Sequence, residues 1–414
     1  MDNMILKNCY VKGNIEVPSS KSVAHRALIA SAFSEKPIKI KKIDFSKDIY
    51  ATIDALRQLG VTISIEDEYV FVDGSNLIKN SEVSINANES GSTLRFMIPV
   101  TTILEKTAVF DGMGRLPERP LDDYFKIFDK RGVEYSHPKG KYLPLKISGD
   151  IKLNDVDVKG NTSSQFITGL IFCGLVNPVK INITTELQSK PYVDITVDVL
   201  RKFGCLINES DNSYEISKTP TIINEYSVER DWSQAAFFMC AAAINGCITL
   251  KDMNMESAQG DREIIYLLKK FGADVTINAN DLTVKKSNLK GIDIDVGDIP
   301  DLVPTLSVLA CFAEGKTKIY NAARLRIKES DRLQAMYEEL TKLGADIEIG
   351  DDYLVINGGK TLYGGQVDSH NDHRIAMAMA VASVGCKGNI SLSGYGAVSK
   401  SYPHFFEDWS SLNE

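Results

Sequence analysis

"LKKFGADVTI", residues 268–277, and "LTKLGADIEI", residues 340–349, decide how this chain is organised. Each reads as the end of a helix, then a glycine, then alternating residues suited to a strand. Glycine just past a helix end takes the left-handed cap conformation without a Cβ penalty. The same signature occurs in "LRQLGVTISI" (56–65), "FDKRGVEYS" (128–136) and "LRKFGCLINE" (200–209). Its glycines, Gly60, Gly132, Gly204, Gly272 and Gly344, lie 72, 72, 68 and 72 residues apart. A period that long marks one sizeable supersecondary unit used repeatedly.

A second class of helix keeps the same rhythm. It comprises "SVAHRALIASAF" (22–33), "GSTLRFMIPVTTI" (91–103), "SSQFITGLIFCGL" (163–175), "WSQAAFFMCAAAI" (232–244), "DLVPTLSVLACFA" (301–313) and "DHRIAMAMAVASV" (372–384). These runs are apolar on nearly every face and are expected to be buried, whereas the glycine-ended helices are amphipathic and belong outside. Each unit thus reads as strand, buried helix, strand, outer helix and two strands. Six buried helices against five glycine-ended ones leave one outer helix to find. "SYPHFFEDWSSL" (401–412) supplies it, and the N-terminal strands in "ILKNCYVKG" (5–13) are expected to complete that unit. The chain ends then meet in one domain, residues 1–19 with 228–414, and residues 20–227 form a domain inserted between them.

Composition narrows the class. A length of 414 residues suits two domains, and 43% hydrophobic with 25% charged residues is an ordinary globular balance. A formal charge of −8 argues against binding nucleic acid through bulk charge. No apolar run approaches the roughly 20 residues that cross a bilayer, and the first residues carry no basic-then-apolar leader. Seven scattered cysteines form no CxxC pair, so neither a disulfide framework nor a zinc site is indicated. These features predict a soluble, cytoplasmic protein.

Polar residues gather at the starts of helices: "SSKS" (19–22), "NESGST" (88–93), "NTSSQ" (161–165), "RDWSQ" (230–234), "DIPD" (298–301) and "SHNDHR" (369–374). The outer helices do likewise in "ERPLDD" (118–123), "SKPYVD" (189–194), "GDRE" (260–263), "KESDR" (328–332) and "KSYP" (400–403). Taken singly, most of these are ordinary N-caps. In "IKESDR", Ser330 or Asp331 is placed to start the helix. Together they matter more, because helix N-termini offer unpaired N–H groups and a positive dipole end. Lys21, Arg26, Arg119, Lys328, Arg332, Arg374 and Lys400 fall in or beside these same segments. An acidic chain that concentrates cations at one set of turns is suited to a multiply charged small anion. Two such sets facing each other would make an active site in an interdomain cleft.

Nine segments, in order along essentially the whole chain, resemble 5-enolpyruvylshikimate-3-phosphate synthase. They are "PSSKSVAHRALIASA", "NESGSTLRF", "LPERPLDDY", "NTSSQFITGL", "SKPYVDIT", "DIPDLVPTL", "RIKESDRLQAM", "NDHRIAMAMA" and "SKSYPHFFEDW". The resemblance implies the enolpyruvyl transferase fold, an α/β (α+β) architecture of two domains. Each domain has three βαβαββ units arranged like an inverse α/β barrel, with buried helices and sheets outside. It implies transfer of the enolpyruvyl group of phosphoenolpyruvate to the 5-hydroxyl of shikimate 3-phosphate, releasing phosphate. This is a step of the shikimate pathway towards chorismate and aromatic amino acids, and the family's herbicide ligand is glyphosate. By the resemblance, Lys21, Ser22, Arg26, Ser163, Ser164, Gln165, Ser189, Tyr192, Asp301 and Lys328 hold shikimate 3-phosphate. Lys21, Gly91, Arg119, Gln165, Arg332, Arg374 and Lys400 hold phosphoenolpyruvate. Glu329 is placed at C3 of the enol, Asp301 at the attacking hydroxyl, and Lys21 as a second proton carrier.

Neither a cofactor nor a metal is called for, since the arginines neutralise the anions; a monomer is expected. One departure is Arg324, where some members carry an asparagine that contacts substrate. The related UDP-N-acetylglucosamine 1-carboxyvinyltransferases usually have a cysteine where this chain has Gly114, and a silent binding protein on this fold would be expected to lack Lys21, Glu329, Asp301 or an arginine.

Overall fold

The computed structural model describes residues 3–66, 69–77 and 82–412. The chain divides into a discontinuous unit, Met1–Pro18 with Arg230–Glu414, and an inserted unit, Ser19–Glu229. The inserted unit carries three four-stranded sheets. Their strands, in spatial order, are Glu225–Ser227, Ile38–Lys41, Tyr69–Asp73 and Thr62–Glu66; Glu82–Asn86, Thr107–Asp111, Leu145–Ser148 and Glu134–Ser136; and Asp155–Val158, Val179–Ile183, Ser213–Ser217 and Leu206–Ser210. In every sheet the first two strands are parallel and the rest antiparallel.

That pattern follows from the connections. Parallel neighbours need a long crossover, and a buried helix supplies it in the second and third sheets, whereas the last two strands of each sheet form a simple hairpin. Register puts one face of each sheet inward: Ile38 opposes Val72 and Ile40 opposes Val70, and all four are fully buried. The discontinuous unit repeats the plan with Val11–Ile15, Gly246–Leu250, Asp281–Lys285 and Asp274–Asn278, and again with Asp293–Asp295, Gly315–Tyr320, Leu354–Gly358 and Ile347–Ile349. Its third sheet has three strands, Gln366–Asp368, Ile390–Ser393 and Met4–Leu6.

The N-terminal strands part company, which corrects the expectation that both complete the last unit. Met4–Leu6 does so, pairing antiparallel with Ile390–Ser393. Val11–Ile15 instead runs parallel to Gly246–Leu250. The counterpart exchange occurs in the inserted unit, where Glu225–Ser227 lies beside Ile38–Lys41. At each crossing, the strand preceding a buried helix stays in its own unit while the helix opens the other one.

Helix burial follows the two sequence classes. In Trp232–Asn245 every residue from Trp232 to Ile244 is buried except Ser233, and all of His373–Ser383 is buried. The outer helices show one apolar face, as in Ile264–Phe271, where Ile264, Leu267, Leu268 and Phe271 are buried. The five repeat glycines all have positive φ, between 70° and 109°, as the left-handed cap requires. The helix Phe405–Ser411 is the sixth outer helix, with Phe405 and Trp409 packed on Phe238. Among the described residues no helix is long and apolar enough to cross a membrane.

Candidate active site

In the inserted unit, short polar contacts tie the helix starts to one another. Ser20 caps Lys21–Ala32, and Lys21 Nζ lies 2.7 Å from Asp48 Oδ2 in the first turn of Lys47–Gln58. Arg26, almost wholly buried, donates through Nε to Thr196 Oγ1 (2.7 Å), through Nη1 to the Ser22 carbonyl (2.6 Å) and through Nη2 to the Tyr192 carbonyl (2.8 Å). Burial lowers its pKa to about 9, which still leaves it charged at neutral pH. Ser189, with φ of 54°, turns the chain into Lys190–Phe203. Arg26 therefore fastens the "SSKS" start to the "SKPYVD" start.

Ser90 caps Gly91–Ile103, and Ser163 caps Ser164–Cys173 by accepting from Gln165 N. Gln165 donates to Ser92 Oγ (3.1 Å) and accepts from Arg95 Nη1 (3.0 Å), which fixes the orientation of its amide. Arg95 also donates to the Pro120 carbonyl, next to Arg119. A Cβ on Gly91 would sit 2.4 Å from Arg119 Nη1, so the guanidinium lies directly over this helix start and only glycine allows that approach. Beneath it runs a buried chain, His25 Nδ1 to Thr52 Oγ1 (2.7 Å), Thr52 to Thr93 (2.7 Å) and Thr93 to the capping Ser90 (2.8 Å). Burial, with Lys21 and Arg26 nearby, pushes the His25 imidazole well below its usual range and keeps it neutral.

The discontinuous unit gathers the remaining charges. Asp301 Oδ1 accepts from Arg332 Nη1 (2.9 Å) with Lys328 Nζ at 3.7 Å, and its Oδ2 accepts from Arg374 Nη2 (2.9 Å). Asp372 caps His373–Ser383 by accepting from Arg374 N, and also accepts from Ser330 Oγ (3.0 Å) and from Arg332 Nε (2.8 Å) and Nη2 (3.2 Å). Burial alone would push the Asp372 carboxyl up; the charge and hydrogen bonds of Arg332, with His373, together hold its pKa below the ordinary carboxylate range. Burial would likewise discharge Arg332, but Asp372, Asp301 and Glu329 more than offset it.

Glu329 Oε2 is 2.9 Å from His373 Nδ1 and 3.9 Å from Lys400 Nζ, with Arg332 Nη2 3.9 Å from its other oxygen. Three carboxyl groups thus meet four basic side chains, Lys328, Arg332, Arg374 and Lys400. Such a balance attracts an anion while keeping each acid next to a cation. Asp331, of the two expected caps, starts Arg332–Lys342 by accepting from Gln334 N, while Ser330 is spent on Asp372. Arg324 is tied to the Gly297 carbonyl.

The structure brings Gly91 to Arg119 and Ser92 to Gln165 in one unit, and Asp301, Lys328, Glu329, Arg332, Arg374 and Lys400 together in the other. Sequence reasoning passed over Arg95 and His25, and read Asp372 and His373 only as a cap and a packed imidazole, though all four hold these groups in place. "NDHR" carried a usable signal for the last two, as a cap and an imidazole in the first turn of a buried helix. Arg95, in mid-helix, carried none. Two His–carboxylate groupings, Glu329 with Asp372 and His373, and Glu338 with Glu339 and His370, place ligand-type atoms within 4.8 Å of one another. Arg332 and Lys400 at the first already stand beside its carboxylates, and Lys342 at the second is paired with Glu339.

Five βαβαββ units and a sixth one strand short, with cations gathered at helix starts, define the enolpyruvyl transferase fold. The chain is similar to the enolpyruvyl transferase NikO from Streptomyces tendae, with a TM-score of 0.79 over 99% of this chain and 97% of that one; at 17% identity the likeness establishes the fold. It is similar to an EPSP synthase structure from Acinetobacter baumannii, with a TM-score of 0.82, 27% identity and coverage of 99% and 98%. The sequence profile described as EPSP synthase (3-phosphoshikimate 1-carboxyvinyltransferase) matches residues 6–409. A 3-phosphoshikimate 1-carboxyvinyltransferase of Clostridium acetobutylicum is 47% identical over 420 aligned residues, covering 100% of this chain and 97% of the relative. The chain belongs to the EPSP synthase family, and its activity is the carboxyvinyl transfer of the shikimate pathway.

Proposed function

We propose that the chain divides its two substrates between named residues. Shikimate 3-phosphate is held by Lys21, Ser22, Arg26, Ser163, Ser164, Gln165, Ser189, Tyr192, Asp301 and Lys328. Phosphoenolpyruvate is held by Lys21, Gly91, Arg119, Gln165, Arg332, Arg374 and Lys400. The observation that carries the reading is the placing of Glu329, a carboxyl with an imidazole on one oxygen and cations on both sides. A carboxyl so placed can give up and take back a proton without leaving an isolated charge.

The 5-hydroxyl oxygen adds to C2 of the enol while C3 takes a proton from Glu329, and Asp301 accepts the hydroxyl proton. Elimination returns a C3 proton to Glu329, breaks the C2–O bond to phosphate and leaves the enol ether. Arg332 and Arg374 offset charge on the departing phosphate. Arg26 has three of its five N–H groups committed to protein acceptors, so its contribution to the sugar phosphate comes from the other two. The enzyme acts as a cytoplasmic monomer on these two small anions.

Steady-state kinetics with each substrate varied in turn tests the division. Arg374→Ala is expected to raise KM for phosphoenolpyruvate at least tenfold more than KM for shikimate 3-phosphate, as loss of a charged hydrogen bond of about 1.5–3 kcal/mol implies. Arg26→Lys is expected to do the reverse. Equal effects on both substrates in both variants would overturn the assignment.

A further inference from the structure

We propose that His370 is a positioning residue of the phosphoenolpyruvate half-site, holding the Asp372–Arg374 turn in place through a charged contact with Glu339. The inference rests on the reading that Arg374 holds phosphoenolpyruvate. Helix Arg332–Lys342 grips the segment 368–374 at two points. In its first turn Arg332 holds Asp372. Two turns on, and so on the same face, Glu339 holds His370. The Glu339 side chain has no exposed surface; it accepts from His370 Nε2 (2.6 Å), from Lys342 Nζ on both oxygens (2.8 Å each) and from Asp368 N (3.0 Å).

Between the two grips the backbone passes through two successive left-handed residues, His370 and Asn371, both with φ of 52°. Neither is glycine, so the turn is strained and persists only while its surroundings determine it. Asp368 Oδ1 accepts from His370 N (2.6 Å), Ser369 Oγ donates to the Gly394 carbonyl (2.9 Å), and Asp372 N donates to the Ser369 carbonyl (2.9 Å). Lys400 Nζ donates to the Asn371 carbonyl, so the strained pair also carries the cation that stands beside Glu329. The loop therefore sets Arg374 and Lys400 together.

Of the ties named here, only the His370–Glu339 contact changes charge between about pH 5 and 8. Facing the imidazole are Glu339, Glu338 (3.9 Å) and Asp368, with Lys342 on both oxygens of Glu339. The hydrogen bond to Glu339 raises the His370 pKa, against burial and with help from the fields of Glu339, Asp368 and Glu338. A raised histidine pKa means the contact is fully present below about 6.5, the unperturbed value, and is lost as pH rises through the raised one. The charged hold on the turn is thus present on the acid side and weakens as pH rises through the raised value.

The test measures KM for each substrate from pH 5.5 to 9 in wild type, His370→Gln, His370→Ala and Arg374→Ala. Glutamine keeps an amide donor towards Glu339 but does not titrate, and ionisation of the substrates is common to all four proteins. Wild-type KM for phosphoenolpyruvate, divided by that of His370→Gln, is expected to rise about fivefold or more across the alkaline limb. His370→Ala should raise the same KM most on the acid side and approach wild type as pH rises, with a smaller change in kcat, and KM for shikimate 3-phosphate should show no such ratio. If Arg374→Ala leaves KM for phosphoenolpyruvate unchanged, the assignment of the half-site fails. If Arg374→Ala raises it but wild type and His370→Gln share one pH profile, the role of His370 is overturned and the half-site stands. A fall in kcat alone in His370→Ala would also overturn it.

Discussion

Removing the Asp372 carboxylate tests whether buried charge pairing holds the discontinuous unit's site together. Its side chain has no exposed surface and accepts from Ser330 Oγ, from two nitrogens of Arg332 and from Arg374 N. Breaking a buried pair by deleting one partner costs about 3–5 kcal/mol, and losing an N-cap costs about 1 kcal/mol. Arg332 keeps Asp301 at 2.9 Å, which offsets part of that loss. Asp372→Ala should therefore destabilise the unit by about 3–4 kcal/mol. Asp372→Asn keeps a good cap and one acceptor but no charge, so its cost should fall between alanine and wild type, at about 2 kcal/mol.

Both tryptophans of the chain, Trp232 and Trp409, lie in this unit, so their fluorescence in urea reports its unfolding selectively. With a urea slope of roughly 1–3 kcal/mol per molar, the alanine midpoint should drop by about 1–4 M. Acid provides a second readout. A depressed carboxylate pKa stabilises above the unfolded value of about 3.9 and stops doing so as pH falls through the folded one. The gap between wild type and Asp372→Asn should then close below the ordinary carboxylate range. An alanine midpoint within about 0.3 M of wild type, less than about 1 kcal/mol, would refute the reasoning.

Three further outcomes are expected. Glu329→Gln should bind both substrates yet lose at least about 100-fold in turnover by single-turnover assay, as removal of a general acid implies; a loss within tenfold would remove Glu329 from proton transfer. Gly91→Ala should push the Arg119 guanidinium aside, because its Cβ would meet Nη1 at 2.4 Å, and raise KM for phosphoenolpyruvate in initial-rate assays; an unchanged KM would show that Arg119 yields freely. Asp261 is buried beside Asp301, and burial foremost, with that neighbouring charge, raises its pKa to about 7. An acid with a raised folded pKa costs stability as pH climbs from the unfolded value towards the folded one. Asp261→Asn should thus raise the melting temperature more at pH 8 than at pH 4; equal shifts would mean that the carboxyl is not neutral at low pH.

The sequence was most legible where one residue had to satisfy a local backbone need. Gly60, Gly132, Gly204, Gly272 and Gly344 each supply a left-handed residue at a helix end, so their spacing exposed the unit and its repetition. Caps such as Ser20, Ser90, Ser163 and Asp331 were equally local. Asp372 and His373 were harder, because their value lies in partners about 40 residues away, Ser330, Arg332 and Glu329. Arg95 interrupts an apolar helix, and only its contacts with Gln165 and the Pro120 carbonyl, 70 and 25 residues away, give it a purpose. The exchange of Val11–Ile15 into the sheet of Gly246–Leu250 had no sequence mark, since parallel pairing leaves no turn between partners.

That exchange has a consequence for how the protein is made. Val11–Ile15 leaves the ribosome long before residues 246–250, and Met4–Leu6 before residues 390–393. At about 5–20 residues per second, the N-terminal strands wait roughly ten seconds to more than a minute for their neighbours. The inserted unit is one unbroken stretch, Ser19–Glu229, whose opening strand Glu225–Ser227 is also its last to emerge. It can therefore close during synthesis while residues 3–18 remain a tethered, unpaired edge. The polar and charged positions Lys7, Asn8 and Lys12 help to keep that edge from pairing with other nascent chains until its own partner arrives.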